Sequence, residues 1–84
     1  MEYKISNHCL EQINQRGISK EEIYMVLSNP DMILKQDEEI FIYQSLSLDK
    51  QFVFRIFVNI CKQPNLVITA YKTSKISKYY EDKI

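Results

Sequence analysis

The chain has 84 residues, a formal net charge of zero and 45% hydrophobic residues, a composition that predicts a single small globular domain over residues 1–84. No apolar run approaches the roughly 20 residues that cross a bilayer. The first residues also lack a secretory pattern, so we expect a cytoplasmic protein without a membrane segment. The two cysteines are too few for a disulfide framework, and we expect both thiols to be reduced and buried.

Charge is distributed unevenly along the chain. Residues 1–49 carry nine acidic and four basic side chains, whereas residues 50–80 carry six basic side chains and no acidic one. This asymmetry predicts a local anion-binding surface in the second half of the fold. A lysine-rich edge that prevents strand aggregation would give the same composition, so charge alone does not separate the two interpretations.

The first thirty residues predict a helical hairpin. Ser6 or Asn7 can cap a first helix, and Gly17 occupies the stop position. A second helix begins at Ser19, where the sequence SKEE matches a capping box. This helix ends before Pro30, because the residue that precedes a proline is disfavoured in helical conformation.

Beyond the helices, the hydrophobic period changes from that of a helix to that of a strand. Short turns between the strands favour an antiparallel meander, and the N-terminal residues 2–5 either extend the sheet or lead into the first helix. We therefore predict an α+β fold with two N-terminal helices on one face of a four-stranded antiparallel sheet and a short C-terminal tail. The predicted strands are residues 32–35, 40–48, 51–61 and 66–72.

The strand over residues 51–61 is the longest β-favouring run in the chain, with the sequence QFVFRIFVNIC. Apolar residues on both of its faces predict a central strand that is covered on both sides, at least in part. Arg55 in its middle is unusual, because arginine is seldom buried without a partner. Its side chain either extends to the rim of the sheet and pairs with an acidic residue, or binds a ligand.

Assigning the strand faces groups polar residues around Arg55. The aliphatic side chains of the sheet are expected to face the helices, among them Ile56, Val58, Ile68 and Ala70. The opposite face would then collect Tyr43, Ser45, Arg55, Phe57, Asn59, Thr69 and Tyr71. Tyrosine and threonine are also common on exposed strands for packing reasons alone.

The tail after the last strand, TSKISKYYEDKI, interleaves lysines with tyrosines. This combination suits phosphate contact together with base stacking. The tail forms either a short helix capped by Ser74 or an extended arm. In the helical alternative, Ile76 and Tyr80 are spaced to hold the C-terminus against the core.

Metal and cofactor chemistries fit the sequence poorly. The soft ligands are His8, Cys9 and Cys61, and the first two are adjacent helical residues that point about 100° apart. Gly17 is the single glycine, so no glycine-rich phosphate loop is present. The basic half contains no clustered carboxylates for a catalytic metal. We therefore expect neither a metal nor a cofactor.

Metal-independent binding or cleavage of RNA fits the basic half better. Arg55 and a lysine would stabilise the charge on a phosphate, and Tyr71 or His8 would move protons. A lone histidine is more often structural than catalytic.

Two stretches resemble the signatures of a large bacterial family of small proteins of unknown function. The first is similar to an H…RGI…NP opening and reads HCLEQINQRGISKEEIYMVLSNP; the second is similar to a T-x-Y…TSK..KY ending and reads VITAYKTSKISKYY. That family resembles ribonuclease toxins of the BrnT and RelE type. The resemblance implies a metal-independent ribonuclease-like toxin that acts on RNA, free or on the ribosome, and that an antitoxin protein inhibits.

The resemblance and the face assignment together define the candidate site. The predicted catalytic residues are His8, Arg55, Tyr71 and Lys75. The predicted RNA-binding residues are Arg16, Tyr43, Thr69, Lys72, Ser74, Lys78 and Tyr79. Two alternatives remain: a non-catalytic module that binds protein or RNA with the same fold, and a homodimer that uses exposed Phe41, Phe57 and the edge strand.

Overall fold

A computed structural model describes residues 2–80 of the chain, so the end of the predicted tail, residues 81–84, lies outside the described residues. Residues 2–80 form an α+β fold. Its elements in chain order are β1 (Tyr3–Ile5), α1 (Asn7–Gln15), α2 (Lys20–Ser28), β2 (Met32–Lys35), β3 (Ile40–Leu46), β4 (Val53–Asn59), β5 (Asn65–Thr73) and α3 (Ile76–Tyr79).

The sheet has five strands in the order β1-β5-β4-β3-β2. The strands β2 to β5 form the predicted antiparallel meander, and β4 is its central strand. The prediction of four strands is wrong, because Tyr3–Ile5 adds a fifth strand that pairs in parallel with residues 65–67. A three-residue strand is too short to show an alternating pattern, and its partner is remote in sequence.

The two predicted helices, α1 and α2, begin and end where their sequence signals predict. The Ser6 hydroxyl accepts a hydrogen bond from the Cys9 amide at 3.1 Å. Ser19 and Glu22 form a complete capping box, since each backbone N–H donates to the other residue's side chain. Gly17 adopts a φ of +69°, the left-handed conformation that glycine tolerates. None of the helices in residues 2–80 has the length and apolar character needed to cross a membrane.

The main core lies between the two helices and one face of the sheet. The helices contribute the buried side chains of Cys9, Ile13, Ile23, Val26 and Leu27, and the sheet contributes Ile5, Phe54, Ile56, Val58, Val67 and Ala70. Cys9 is buried as predicted. The prediction that Cys61 is buried is wrong, because this residue lies in the turn beyond the end of β4 and is exposed.

A β-bulge in β5 changes which residues of that strand face the core. Phe57 pairs with Thr69 and Val58 pairs with Val67, so Ile68 is inserted between two consecutive pairs. The insertion reverses the alternation of side chains, and Val67 and Ala70 both lie in the core. The prediction that Ile68 faces the helices with Ala70 is therefore wrong, and Ile68 is partly exposed.

The predicted face of β3 is also reversed. Tyr43 pairs with Ile56 and packs against the core beneath the helices, and Ser45 pairs with the core residue Phe54. The prediction that both side chains lie on the Arg55 face is therefore wrong. The prediction relied on aliphatic content, but Ile42 is buried on the Arg55 face. Because both faces of the central sheet are covered, aliphatic residues do not identify the side that meets the helices.

The bulge leads to a test by truncation. Val67 is fully buried, whereas Ile68 is partly exposed although its side chain is larger. We expect Val67→Ala to lower the free energy of unfolding by about 2 kcal/mol and Ile68→Ala to lower it by about 1 kcal/mol or less. Chemical denaturation of both variants measures the difference. A larger loss in Ile68→Ala would contradict the bulge.

Tyr3 provides a second test, by pH. Its ring meets that of Tyr43 edge-on with centroids 6.4 Å apart. Burial, helped by a hydrogen bond with Tyr43, raises the pKa of Tyr3 from 10.0 to about 12. The folded state therefore holds this proton more tightly than the unfolded chain does. The resulting stability is fully present below about pH 10 and is lost as the pH rises to 12.

The measurement is the free energy of unfolding of the wild type and of Tyr3→Phe as the pH is raised through this range. We expect the free energy of unfolding to fall less with pH in Tyr3→Phe than in the wild type. In an ultraviolet titration, the tyrosine that ionises at the highest pH in the wild type should be missing from the variant. Identical pH profiles for the two proteins would contradict the assignment.

Candidate functional site

Arg55 lies in the middle of β4 on the face turned away from α1 and α2, where its side chain is partly buried. Its Nε donates a hydrogen bond to the Gln44 side-chain oxygen, and its Nη1 donates to the Tyr71 hydroxyl. Gln44 in β3 and Tyr71 in β5 are the direct register partners of Arg55. The pairing of three adjacent strands therefore sets these three side chains in one row across the sheet.

Aromatic rings surround the Arg55 guanidinium. Its central carbon lies 4.3 Å from the Tyr79 ring centroid, 5.4 Å from that of Phe57 and 5.7 Å from that of Tyr71. These distances are in the range of cation–π attraction. We call the group the Arg55 cluster, defined as Gln44, Arg55, Phe57, Tyr71 and Tyr79.

Gln44 connects the sheet to α3 and was not among the predicted residues. Its side chain is fully buried. The amide nitrogen donates to the Tyr79 carbonyl at 2.9 Å, while the amide oxygen accepts from Arg55. The sequence signal that identifies it is a lone amide in an otherwise apolar alternation with Ile42 and Leu46.

The cluster continues from Arg55 through two tyrosines to a lysine. Arg55 donates to the Tyr71 oxygen, the Tyr71 and Tyr79 rings meet edge-on with centroids 6.4 Å apart, and the Lys78 ammonium lies 5.2 Å from the Tyr79 ring centroid. The pKa of Tyr79 lies below its ordinary value, chiefly because its phenol is hydrogen-bonded to Lys78, and the bond to Tyr71 and the charge of Arg55 act in the same direction. The site therefore favours negative charge on the Tyr79 oxygen.

The positive charge of the cluster is that of Arg55, and within residues 2–80 no acidic side chain forms an ion pair with it. The guanidinium group has five N–H donors, and hydrogen bonds within residues 2–80 account for the Nε donor and one Nη1 donor. The ion pair formed within these residues joins Lys35 and Glu38 on the surface, away from Arg55. The cluster can thus accept an anionic group beside the guanidinium.

Four of the predicted site residues come together here: Arg55, Tyr71, Lys78 and Tyr79. Ser74 and Lys75 are exposed where β5 leads into α3, and the Lys75 amide donates to the Thr73 hydroxyl. They precede α3, the helix that carries Lys78 and Tyr79. His8 is exposed in the first turn of α1, and no described contact joins it to Arg55 or Tyr71.

Two further predicted residues fasten α1 to β5. Arg16 donates from Nη1 to the Ala70 carbonyl at 2.8 Å, and the Thr69 hydroxyl donates to the Gln12 side-chain oxygen. The strand β1 pairs with β5 only over residues 65–67. Arg16 therefore supplies a hydrogen-bond donor to the Ala70 carbonyl, which lies beyond the end of that pairing. Both side chains therefore have a structural role at this seam.

The last two predicted residues, Tyr43 and Lys72, lie on the helix side of the sheet. Lys72 pairs with Phe54, and its ammonium lies 5.1 Å from the centroid of the Phe52 ring. Adjacent residues of a strand point to opposite faces, so Lys72 points away from the cluster to which its neighbour Tyr71 belongs. Within residues 2–80, no group of three or more His, Cys, Asp or Glu side chains is placed to hold a metal ion.

Residues 5–72 match the model of a protein family described as a domain of unknown function, DUF4258. The chain belongs to this family. No curated protein matches the chain, and no solved structure matches it. The matched region includes Gln44, Arg55 and Tyr71 but ends before α3, which contributes Lys78 and Tyr79.

The bridging role of Gln44 leads to a stability test. In Gln44→Leu, the Arg55 Nε and the Tyr79 carbonyl both lose their partner, so we expect the free energy of unfolding to fall by about 2 kcal/mol. Amide hydrogen exchange should also accelerate at Tyr80, whose N–H donates to the Ile76 carbonyl in α3. The matched control is Gln51→Leu, the same change at an exposed glutamine. Equal effects in the two variants would contradict the bridge.

Proposed function

We propose that this protein binds RNA at the Arg55 cluster and cleaves it without a metal ion, as a ribonuclease-like toxin. The observation that carries the proposal is the contiguous arrangement of Arg55, Tyr71, Tyr79 and Lys78, joined by the Arg55–Tyr71 hydrogen bond and by contacts with the Tyr79 ring. It places a cation, two phenols and an ammonium group on one side of the sheet. The resemblance to ribonuclease toxins suggests the substrate class.

RNA cleavage without a metal has three chemical requirements. A base removes the proton of the 2′-hydroxyl, a cation stabilises the charge that develops on the phosphorus oxygens, and an acid protonates the leaving 5′-oxygen. The unassigned guanidinium donors of Arg55 would bind the phosphate. Tyr79, whose pKa is lowered by Lys78, would accept the first proton, and Tyr71 would donate the second.

The residues around the cluster support contact with a longer stretch of RNA. Lys78 is exposed beside the Tyr79 ring and Lys75 is exposed at the start of α3, so both can contact neighbouring phosphates. The partly exposed ring of Tyr79 offers a surface on which a base can stack. An antitoxin would inhibit the protein by covering this surface with acidic side chains, because such groups compete with phosphate for the same donors.

A second candidate is a non-catalytic module that binds RNA or protein through the same surface. This second candidate is favoured because groups of the protein itself already contact the Arg55 guanidinium. Gln44 and Tyr71 accept hydrogen bonds from it, and the Tyr79 ring covers one of its faces. His8 and Lys75, which were predicted to be catalytic, also make no described contact with the guanidinium.

The test is incubation of the purified protein with naked RNA and with ribosome-bound RNA, in the presence of a chelator. We expect cleavage products that carry a cyclic 2′,3′-phosphate and a 5′-hydroxyl. Arg55→Ala should lower the cleavage rate by about 100-fold or more, and Tyr79→Phe, which keeps the ring, by about 100-fold. The wild-type rate should rise with pH until Tyr79 is ionised, because its lowered pKa sets the fraction of the basic form.

Lys72→Ala is the matched control, since it removes a cation from the other side of the sheet next to Tyr71. Its rate should equal that of the wild type. RNA binding without cleavage in every variant would favour the non-catalytic module. If Arg55→Ala and the wild type leave identical RNA profiles and bind RNA equally, RNA is not the ligand of this surface, the proposed ribonuclease is wrong, and the module that remains binds a protein.

A further inference from the structure

A cavity of about 420 Å³ lies between α2 and the turn that joins β3 to β4, on the helix side of the sheet. Part of its floor is one row of register partners from three adjacent strands, Ser45, Phe54 and Lys72. Its volume is typical of sites that hold a small molecule. Because the Arg55 cluster lies on the opposite face of the sheet, the cavity is separate from the site described above.

Exposed apolar side chains border the cavity. Met25 from α2 is 50% exposed and Leu48 from the turn is 92% exposed, and both line it together with the buried Val26. Apolar surface around a concavity is typical of a ligand site, since a bound ligand removes that surface from water. By contrast, Phe41 and Phe57, on which the homodimer predicted from the sequence depends, are both partly buried.

Two groups of opposite charge line the cavity without pairing with each other. The Lys72 ammonium lies 5.1 Å from the centroid of the Phe52 ring, and within residues 2–80 it forms no ion pair. The Asp49 carboxylate accepts hydrogen bonds at Oδ1, from the Ser47 hydroxyl at 2.6 Å and the Gln51 N–H at 3.0 Å. These two bonds lower the pKa of Asp49, and the charge of Lys72 acts in the same direction. The two charges are therefore near each other but not in contact.

Hydrogen bonds order the turn that carries Asp49. The Lys50 N–H donates to the Ser47 carbonyl at 2.9 Å, and the Phe52 N–H donates to the Ser47 hydroxyl at 3.1 Å. The carboxylate therefore has a defined position before a ligand binds, which reduces the entropy that is lost on binding.

We propose that this cavity binds a free α-amino acid with an apolar or aromatic side chain. The carboxylate of the ligand pairs with the Lys72 ammonium, and its ammonium group pairs with Oδ2 of Asp49. The side chain of the ligand covers Met25 and Leu48. A zwitterion carries both charges on one carbon atom, so it complements two opposite charges that line one cavity and leave each other unpaired.

The remaining acidic residue of the cavity also argues against a purely anionic ligand. Glu22 lines the cavity, and its carboxylate closes the capping box of α2 by accepting from the Ser19 N–H. The charged side chains around the cavity are thus two acidic residues and one lysine. A ligand with only a negative charge would meet Lys72 but would be repelled by both carboxylates.

Three small molecules that share a phenyl ring test this proposal in nuclear magnetic resonance titrations of the full chain at neutral pH. They are free phenylalanine, 2-phenylethylamine, which lacks the carboxylate, and 3-phenylpropionate, which lacks the ammonium group. We expect phenylalanine to bind with a dissociation constant of about 1 mM or lower and the other two about tenfold more weakly. The amide signals that shift should include those of Leu48, Asp49 and Phe52.

Two conservative variants separate the two charges. Lys72→Met keeps the apolar stem, and it should weaken phenylalanine about tenfold without weakening 2-phenylethylamine. Asp49→Asn keeps an oxygen that can accept from Ser47 and Gln51, and it should weaken phenylalanine about tenfold without weakening 3-phenylpropionate. Lys62→Met is the matched control, because it removes the charge of an exposed lysine outside the cavity, and it should bind like the wild type.

The absence of saturable phenylalanine binding to the wild type would overturn the proposal. Equal affinities for the three molecules would also overturn it, because the cavity would then bind the ring without recognising its charges. So would a phenylalanine affinity that neither Lys72→Met nor Asp49→Asn lowers, when the amide spectra show that both variants are folded. None of these measurements depends on the proposed cleavage of RNA.

Discussion

The hydrogen bonds of one guanidinium group hold the second face of this protein together. Arg55 binds a side chain from each neighbouring strand and is covered by a ring from α3. Placing an arginine in a partly buried site is favourable only if its donors are satisfied. The partner in β3 is the neutral amide of Gln44, not a carboxylate, so the bonds are satisfied while the positive charge is retained. A glutamate at this position would cancel the charge that makes the surface suitable for an anion.

The β-bulge in β5 allows one strand to serve both faces of the sheet. In a regular strand, Val67 and Tyr71 would lie on the same side, because their positions differ by an even number of residues. The insertion of Ile68 reverses the alternation, so Val67 fills the core beneath the helices and Tyr71 reaches Arg55. The bulge thus provides a core residue without removing a residue from the cluster.

The sequence predicts elements well where the signal is local. The capping box at Ser19, the stop at Gly17 and the central position of β4 are all confirmed. The errors concern pairing between distant residues. The face of Tyr43 depends on which side of a doubly covered sheet meets the helices, and a one-residue change of register reverses every side chain.

The candidate site could be predicted in part for the same reason. Arg55 stands out as a cation in an apolar strand, and Tyr71 follows from the short turn between β4 and β5. Gln44 stands out as a lone amide in an apolar alternation, but its partners could not be predicted, because they arise from the β3–β4 register and from the position of α3 above it. Lys72 was predicted to belong to the site and does not. It follows Tyr71 in the chain, but its side chain points to the other face of the sheet, towards Phe52.

The parallel pairing of β1 with β5 has a consequence for the order in which the protein folds. Tyr3 and its register partner Asn65 are separated along the chain by the helical hairpin and by strands β2 to β4. The helical hairpin can form from local contacts, whereas β1 pairs only after the chain has returned over this distance. Closing so long a loop is slow compared with local turns. The pairing of β1 with β5 is thus expected to be a late step of folding.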